Sequence, residues 1–143
     1  MESNEEPNNL LACECQEAIH PMAIKGISLF NAQKYFEAHE YLELAWRAEK
    51  RPIRELYRGI LQVATAYYHI MRGNYNGAVK MFHRCHPWLE PFPSTCMGID
   101  VDRFKQEFGD IEQTLLKLGP SEFQRISPEQ FKPVPMSREI PNP

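Results

Sequence analysis

The chain has 143 residues, 43% of them apolar and 24% charged, with a formal net charge of -3. That length predicts one domain with a core of its own. The charge balance offers no concentrated basic face for a nucleic acid. No apolar run approaches the roughly 20 residues of a membrane span.

The N-terminal residues 1–17 carry five glutamates and no Lys or Arg. They have neither the apolar stretch of a secretory signal nor the arginines of a transit peptide, so they read as a flexible acidic arm on a cytoplasmic protein. Proline maps the rest of the chain. Of twelve prolines only Pro52 falls between residues 22 and 86, while five crowd into residues 126–143. The first stretch is free to be helix. The second reads as a proline-rich tail, extended over the surface or loose. The helical domain is then expected over residues 18–125.

Five helices are predicted there. The first spans residues 21–32, with Pro21 in its first turn, and the second spans residues 34–50. The third opens at Pro52 and ends near Arg72, where Gly73 and Asn74 supply a stop. The fourth runs from Tyr75 to His86, before Pro87. The fifth starts at the N-cap Asp100 and reaches Leu118, before Gly119 and Pro120. A short turn is expected near residues 128–131. No window alternates as a strand does.

Displaced by forty residues, LFNAQKYFEAHEYLELAW lies over HIMRGNYNGAVKMFHRCH. Tyr35 then matches Tyr75, Ala38 matches Ala78, and Leu42 matches Phe82. Each copy is a helix, a tight turn, an aromatic residue and a small Ala that lets antiparallel helices approach. These are tetratricopeptide-like helical hairpins, but two copies at a period longer than the usual 34 or so residues predict a compact all-α bundle rather than an open solenoid.

The polar residues concentrate on two helices. At about 100° per residue, Tyr35, His39, Leu42 and Trp46 share one face of the second helix, and Glu43 lies one turn beyond His39. Glu40 sits further round, next to Phe36 and Arg47. On the third helix Glu55, Arg58, Gln62, Thr65, His69 and Arg72 form a polar stripe beside a wide apolar face. H-E-x-x-E on one helix with a His from the next is a donor set for zinc, iron or manganese, and His39, Glu43 and His69 are the candidate ligands of a possible divalent metal. The first half of the pattern matches H-E-x-x-H metalloproteases, but Glu43 stands where the second His would be. The plainer reading is a hydrogen-bond network, His39 with Glu43 and Gln62 with His69, fixing helix register. Trp46, Trp88, Tyr67 and Tyr68 read as core or rim packing.

Cys13, Cys15, Cys85 and Cys96 match no common metal spacing. A site of Cys13, Cys15, His83 and His86 is conceivable, but free thiols in a reducing compartment are expected. No Ser or Cys is placed beside His39 or His69 as a nucleophile, and no glycine loop could cradle phosphate.

Residues 30–47 (FNAQKYFEAHEYLELAWR), 58–64 (RGILQVA) and 68–78 (YHIMRGNYNGA), in that order, resemble the family catalogued as domain of unknown function 309. The resemblance covers residues 22–92, continuing through Gly98, Ile99 and Asp100. It implies a small all-helical bundle with no established activity, whose signature includes Tyr35, His39, Glu40, Glu43, Trp46, Gln62, His69, Gly73 and Asn74. A family without an assigned function transfers none. The expected function is a binding or interaction module, its polar pocket built from His39, Glu40, Glu43, Trp46, Gln62 and His69 and taking a protein or small-molecule ligand. The alternatives are a metal-dependent hydrolase and a purely structural network.

Overall fold

The computed structural model describes residues 13–137. It is an all-α bundle of five helices: α1 (Pro21–Asn31), α2 (Tyr35–Ala48), α3 (Arg54–Met71), α4 (Tyr75–Leu89) and α5 (Val101–Glu122). Each of α1 to α4 packs on the next, and α5 lies against α4. Among the described residues no helix is long and apolar enough to cross a membrane.

The start and stop signals work as their chemistry requires. Pro21 opens α1, and the His20 ring Nδ1 accepts the Met22 N–H at 3.0 Å. Pro52 begins a turn that becomes α3 two residues later. At the end of α3, Gly73 N–H donates to Ile70 O at 3.1 Å and Asn74 N–H to His69 O at 2.8 Å. This paired cap needs a left-handed residue at position 73, where Gly73 has φ 76°. The Asn74 side chain then accepts the Gly77 N–H at 2.9 Å and opens α4.

The same closure ends α1. Gln33 N–H reaches Phe30 O and Lys34 N–H reaches Leu29 O, both at 2.9 Å, but here Gln33 holds the left-handed position at φ 62°. The forty-residue repeat is therefore a repeat of backbone geometry. Ala38, Ala78, Leu42 and Phe82 are all fully buried.

Three features depart from the sequence expectations. First, α4 does not stop before Pro87 but continues to Leu89. A proline in the last turn forfeits one backbone bond, and the extension buries Leu89 against Gly59, where a Cβ would stand 2.4 Å from Leu89 Cδ2. Second, Thr95–Cys96 and Ile99–Asp100 pair as an antiparallel hairpin. Met97 and Gly98, at φ 52° and 82°, supply the two left-handed residues of its turn. Third, Cys15 and Cys96 are joined by a disulfide across 81 residues, rather than remaining free thiols. From Cys13 onward the acidic segment is thus tied down. Arg51 also holds it, pairing with Glu17 at 2.8 Å and Glu49 at 2.9 Å. The first twelve residues of the expected arm lie outside the described residues.

Gly119, at φ 75° and ψ 178°, breaks α5 where the sequence places its end, and Pro120 opens one more turn. The described part of the proline-rich tail does not lie loose. Residues 128–130 form a short turn capped by Ser127 and Gln130. Ile126, Phe131 and Val134 are buried. Phe131 stacks on Tyr67 at 4.3 Å between centroids and meets Tyr35 edge-on at 5.9 Å. Prolines remove donors, and the tail makes its polar ties elsewhere: Val134 N–H to Asn31 Oδ1, Asp100 N–H to Pro135 O, and Ser137 N–H to Gly98 O. The aromatic core runs from Phe30, Tyr35 and Tyr67 through Phe104 to Phe82 and Phe108.

Candidate functional site

The seam between α2 and α3 holds the polar signature. The two helices run antiparallel, so the C-terminal end of α2 meets the start of α3. There Trp46 Nε1 donates to Glu55 Oε1 at 3.3 Å, and Arg54 Nε donates to the Trp46 carbonyl at 3.0 Å. The Arg54 guanidinium lies 3.9 Å over the Trp46 ring, and that of Arg58 lies 4.6 Å from it. Arg58 also stacks at 3.9 Å on Trp88 of α4 while pairing with Glu55 at 2.7 Å. Arg58 is thus held between two indoles, a cation–π stack with its charge answered by Glu55.

Gln62 comes one turn further along α3. Its Oε1 is buried and has no hydrogen-bond partner among the described residues. It does not pair with His69, so that half of the expected network is not formed. His69 instead accepts from Asn74, Nδ2 to Nδ1 at 3.3 Å. Burial, and then the nearby Arg72 charge, hold the His69 pKa below the ordinary histidine value. Both effects favour the neutral ring, and the Asn74 bond selects the tautomer with its proton on Nε2, which leaves Nδ1 free to accept.

His39 Nε2 stands 3.5 Å from Glu43 Oε1, with both side chains about a third exposed, 32% and 35%. Glu43 is shared, since its other oxygen takes a 2.6 Å bond from Arg47. His39 forms the wall between two recesses. On one side is a cleft of 140 Å³ lined by Tyr35, Phe36, His39, Thr65, Tyr68 and His69. It is almost wholly apolar, because the Thr65 hydroxyl is turned back to the Leu61 carbonyl at 2.8 Å. Phe36, on its rim, is 49% exposed and packs on Tyr68. On the other side is an open depression of 460 Å³ along the outer face of α2, lined by His39, Glu40, Tyr41, Glu43, Leu44 and Arg47.

The fold therefore brings His39, Glu40 and Glu43 together at one recess and His39 and His69 at another. Trp46 stands at the far end of the seam with the arginines. It does not gather His39, Glu43 and His69 into a ligand set. Among the described residues no three His, Cys, Asp or Glu side chains come together as a metal ion requires. The imagined Cys13, Cys15, His83 and His86 site is likewise absent, with Cys15 committed to Cys96.

Sequence reasoning missed the Arg54, Arg58 and Trp88 stack. Its signal was available in part: Arg58 follows Glu55 by one turn on the polar stripe, but nothing in the chain placed Trp88 opposite. A third recess of 260 Å³, lined by Ile70, Met71, Gln124, Ile126, Pro128 and Phe131, lies where the tail crosses α3.

Residues 23–81, from α1 to the middle of α4, match the model of the family described as domain of unknown function (DUF309). No curated protein and no solved structure matches the chain.

Proposed function

We propose that the protein is a small helical binding module that takes up a segment of a partner protein across the α2 face. The observation that carries this reading is His39 standing between a side-chain-sized apolar cleft and an open, carboxylate-lined depression. An apolar anchor seated in a pocket beside polar contacts is the usual economy of a recognition site. At 140 Å³ the cleft is well below the ~300 Å³ where small-molecule sites begin, which favours a protruding side chain over a metabolite. Glu40 favours a basic residue next to that anchor, Glu43 being already paired with Arg47 at 2.6 Å. The hydrolase reading lacks a donor set, and a network reading leaves the exposed Phe36 and the cleft without a role. The cytoplasmic placement expected from the sequence is not carried into this proposal, because the Cys15–Cys96 bond favours an oxidising environment, where such bonds persist.

The test is site-directed photo-crosslinking in the source cells, with the photoreactive residue at Leu44, which is 48% exposed on the depression. A discrete adduct is expected, and it should vanish when Thr65→Trp fills the cleft in a protein whose circular dichroism is unchanged. No discrete adduct at Leu44, or one indifferent to Thr65→Trp, overturns the reading.

A further inference from the structure

The N-terminal segment joins the β-hairpin through a disulfide, and a third cysteine lies two residues from it in sequence. Cys15 is bonded to Cys96, and beside that bond Met97 N–H donates to Cys15 O at 2.8 Å. Cys13, two residues away, is an exposed free thiol. The fourth, Cys85, is of another kind. It is buried, its Sγ contacts the Phe82 carbonyl at 3.2 Å, and burial pushes its thiol pKa far up. It serves as an inert internal reference.

Cys13 to Glu17 form a tight turn, with Gln16 N–H on Cys13 O at 3.2 Å and Glu17 N–H on Glu14 O at 3.0 Å. In a helical turn, Cα atoms two residues apart are about 5.4 Å from one another. That lies inside the range a disulfide spans. Side chains two apart point to different sides, so Cys13 can reach Cys15 only when the turn opens. Opening it breaks the 3.2 Å bond from Gln16 N–H to Cys13 O.

We propose that Cys13, Cys15 and Cys96 form a thiol–disulfide exchange site that latches and unlatches the N-terminal segment. The Cys13 thiolate attacks Cys15 Sγ, and a Cys13–Cys15 bond forms. The Cys15–Cys96 bond breaks, its electron pair leaves on Cys96, and Cys96 takes up the proton that Cys13 gave to solvent. No electrons enter or leave the chain, so no outside oxidant or reductant is needed. A covalent tie across 81 residues is exchanged for one across two. The segment is then held only by non-covalent ties, among them Cys15 to Met97, Glu14 and Glu17 to Arg51, and His20 N–H to Tyr57 Oη at 3.0 Å. Met97 is held in turn by the Tyr57 hydroxyl, 3.5 Å from its Sδ, so unlatching loosens the hairpin next.

The test uses the full chain at pH 8 without added thiol, quenched in acid, alkylated in denaturant and digested with trypsin. Cleavage after Lys25, Arg84 and Arg103 places Cys13 and Cys15 on one peptide and Cys96, with Cys85, on another. The expected result is an N-terminal peptide with an internal disulfide in about a tenth or more of the chains, matched by a Cys96 peptide alkylated at both cysteines. Cys13→Ser should leave only the cross-linked pair of peptides. Hydrogen exchange at the Met97 amide should be at least about tenfold faster in wild type than in Cys13→Ser. Cys13 fully alkylated with Cys15–Cys96 intact after a day overturns the proposal, as does a chain in which none of the three is bonded.

Discussion

The hairpins α1–α2 and α3–α4 share a backbone plan and differ in what closes and covers them. At the first turn Gln33, a residue with a Cβ, takes the left-handed position, and its side chain is put to use: Nε2 donates to Pro128 O at 2.8 Å. The tail then lays Phe131 over Tyr35 and Tyr67. At the second turn Gly73 takes that position without strain, and Asn74 both caps α4 and donates to His69. Gly77 has to be small here, since a Cβ would fall 2.6 Å from Asn74 Nδ2 and 2.9 Å from the His69 ring. One turn has been adapted to hold the tail, the other to orient a histidine of the cleft. The repeat dictates backbone; the surroundings decide function.

The matched aromatics give the largest expected contrast. Tyr35 is buried among Phe30, Tyr67 and Phe131, whereas Tyr75 is half-buried, with Phe123 its one aromatic contact among the described residues. Tyr35→Ala should cost about 4 kcal/mol and Tyr75→Ala about 1.5 kcal/mol in urea unfolding, by the burial each loses. Equal costs would break the comparison.

The closing residues come next. Gly73→Ala should cost about 1–2 kcal/mol, because an L side chain resists the left-handed region. The new Cβ would also stand 2.9 Å from Gln124 Nε2. Gln33→Gly relieves the same strain in the first turn but removes the bond to Pro128, so the net change should stay within about 1 kcal/mol. Proteolysis of the tail should accelerate in Gln33→Gly even where the unfolding midpoint does not fall.

Smaller again are the caps. Asn74→Ala should cost about 1 kcal/mol through the lost Gly77 N–H bond. Lys34→Ala, at the matching position, should stay within about 0.5 kcal/mol, since Lys34 makes no side-chain cap.

The smallest effect is one of pH. The folded pKa of His69 lies below its unfolded value near 6.5. Below that pH the unfolded chain therefore binds more protons than the folded one. Its contribution to stability is present above pH 6.5 or so and declines as pH falls toward the folded pKa. His69→Gln keeps an acceptor for Asn74 and should flatten the unfolding midpoint between pH 7 and pH 5 relative to wild type.

Helix positions were legible because prolines, Gly73, Asn74 and Asp100 act locally, within a turn of where they stand. The repeat was legible for the same reason: Tyr35, Ala38 and Leu42 recur at Tyr75, Ala78 and Phe82. The hairpin at residues 95–100 was not, because two-residue strands are too short to show alternation. The Cys15–Cys96 bond and the seating of Phe131 on Tyr67 were not legible either, since they join residues 81 and 64 positions apart. For the site, the sequence placed Glu43 one turn beyond His39 on the second helix, with Glu40 further round. Gln62 and His69 stand seven residues apart on one helix, about 10.5 Å along its axis, and miss each other. That Arg58 would sit between Trp46 and Trp88 was not legible, because it depends on the offset between neighbouring helices, which no single helix encodes.

The seating of Phe131 has a consequence for synthesis. The aromatic core assembled by α1 to α5 stays open on one side until residue 131 has left the ribosome. A nascent chain can form its hairpins early but cannot seal them. Every product terminated short of that residue exposes Tyr35 and Tyr67, the kind of surface that chaperones hold and proteases clear.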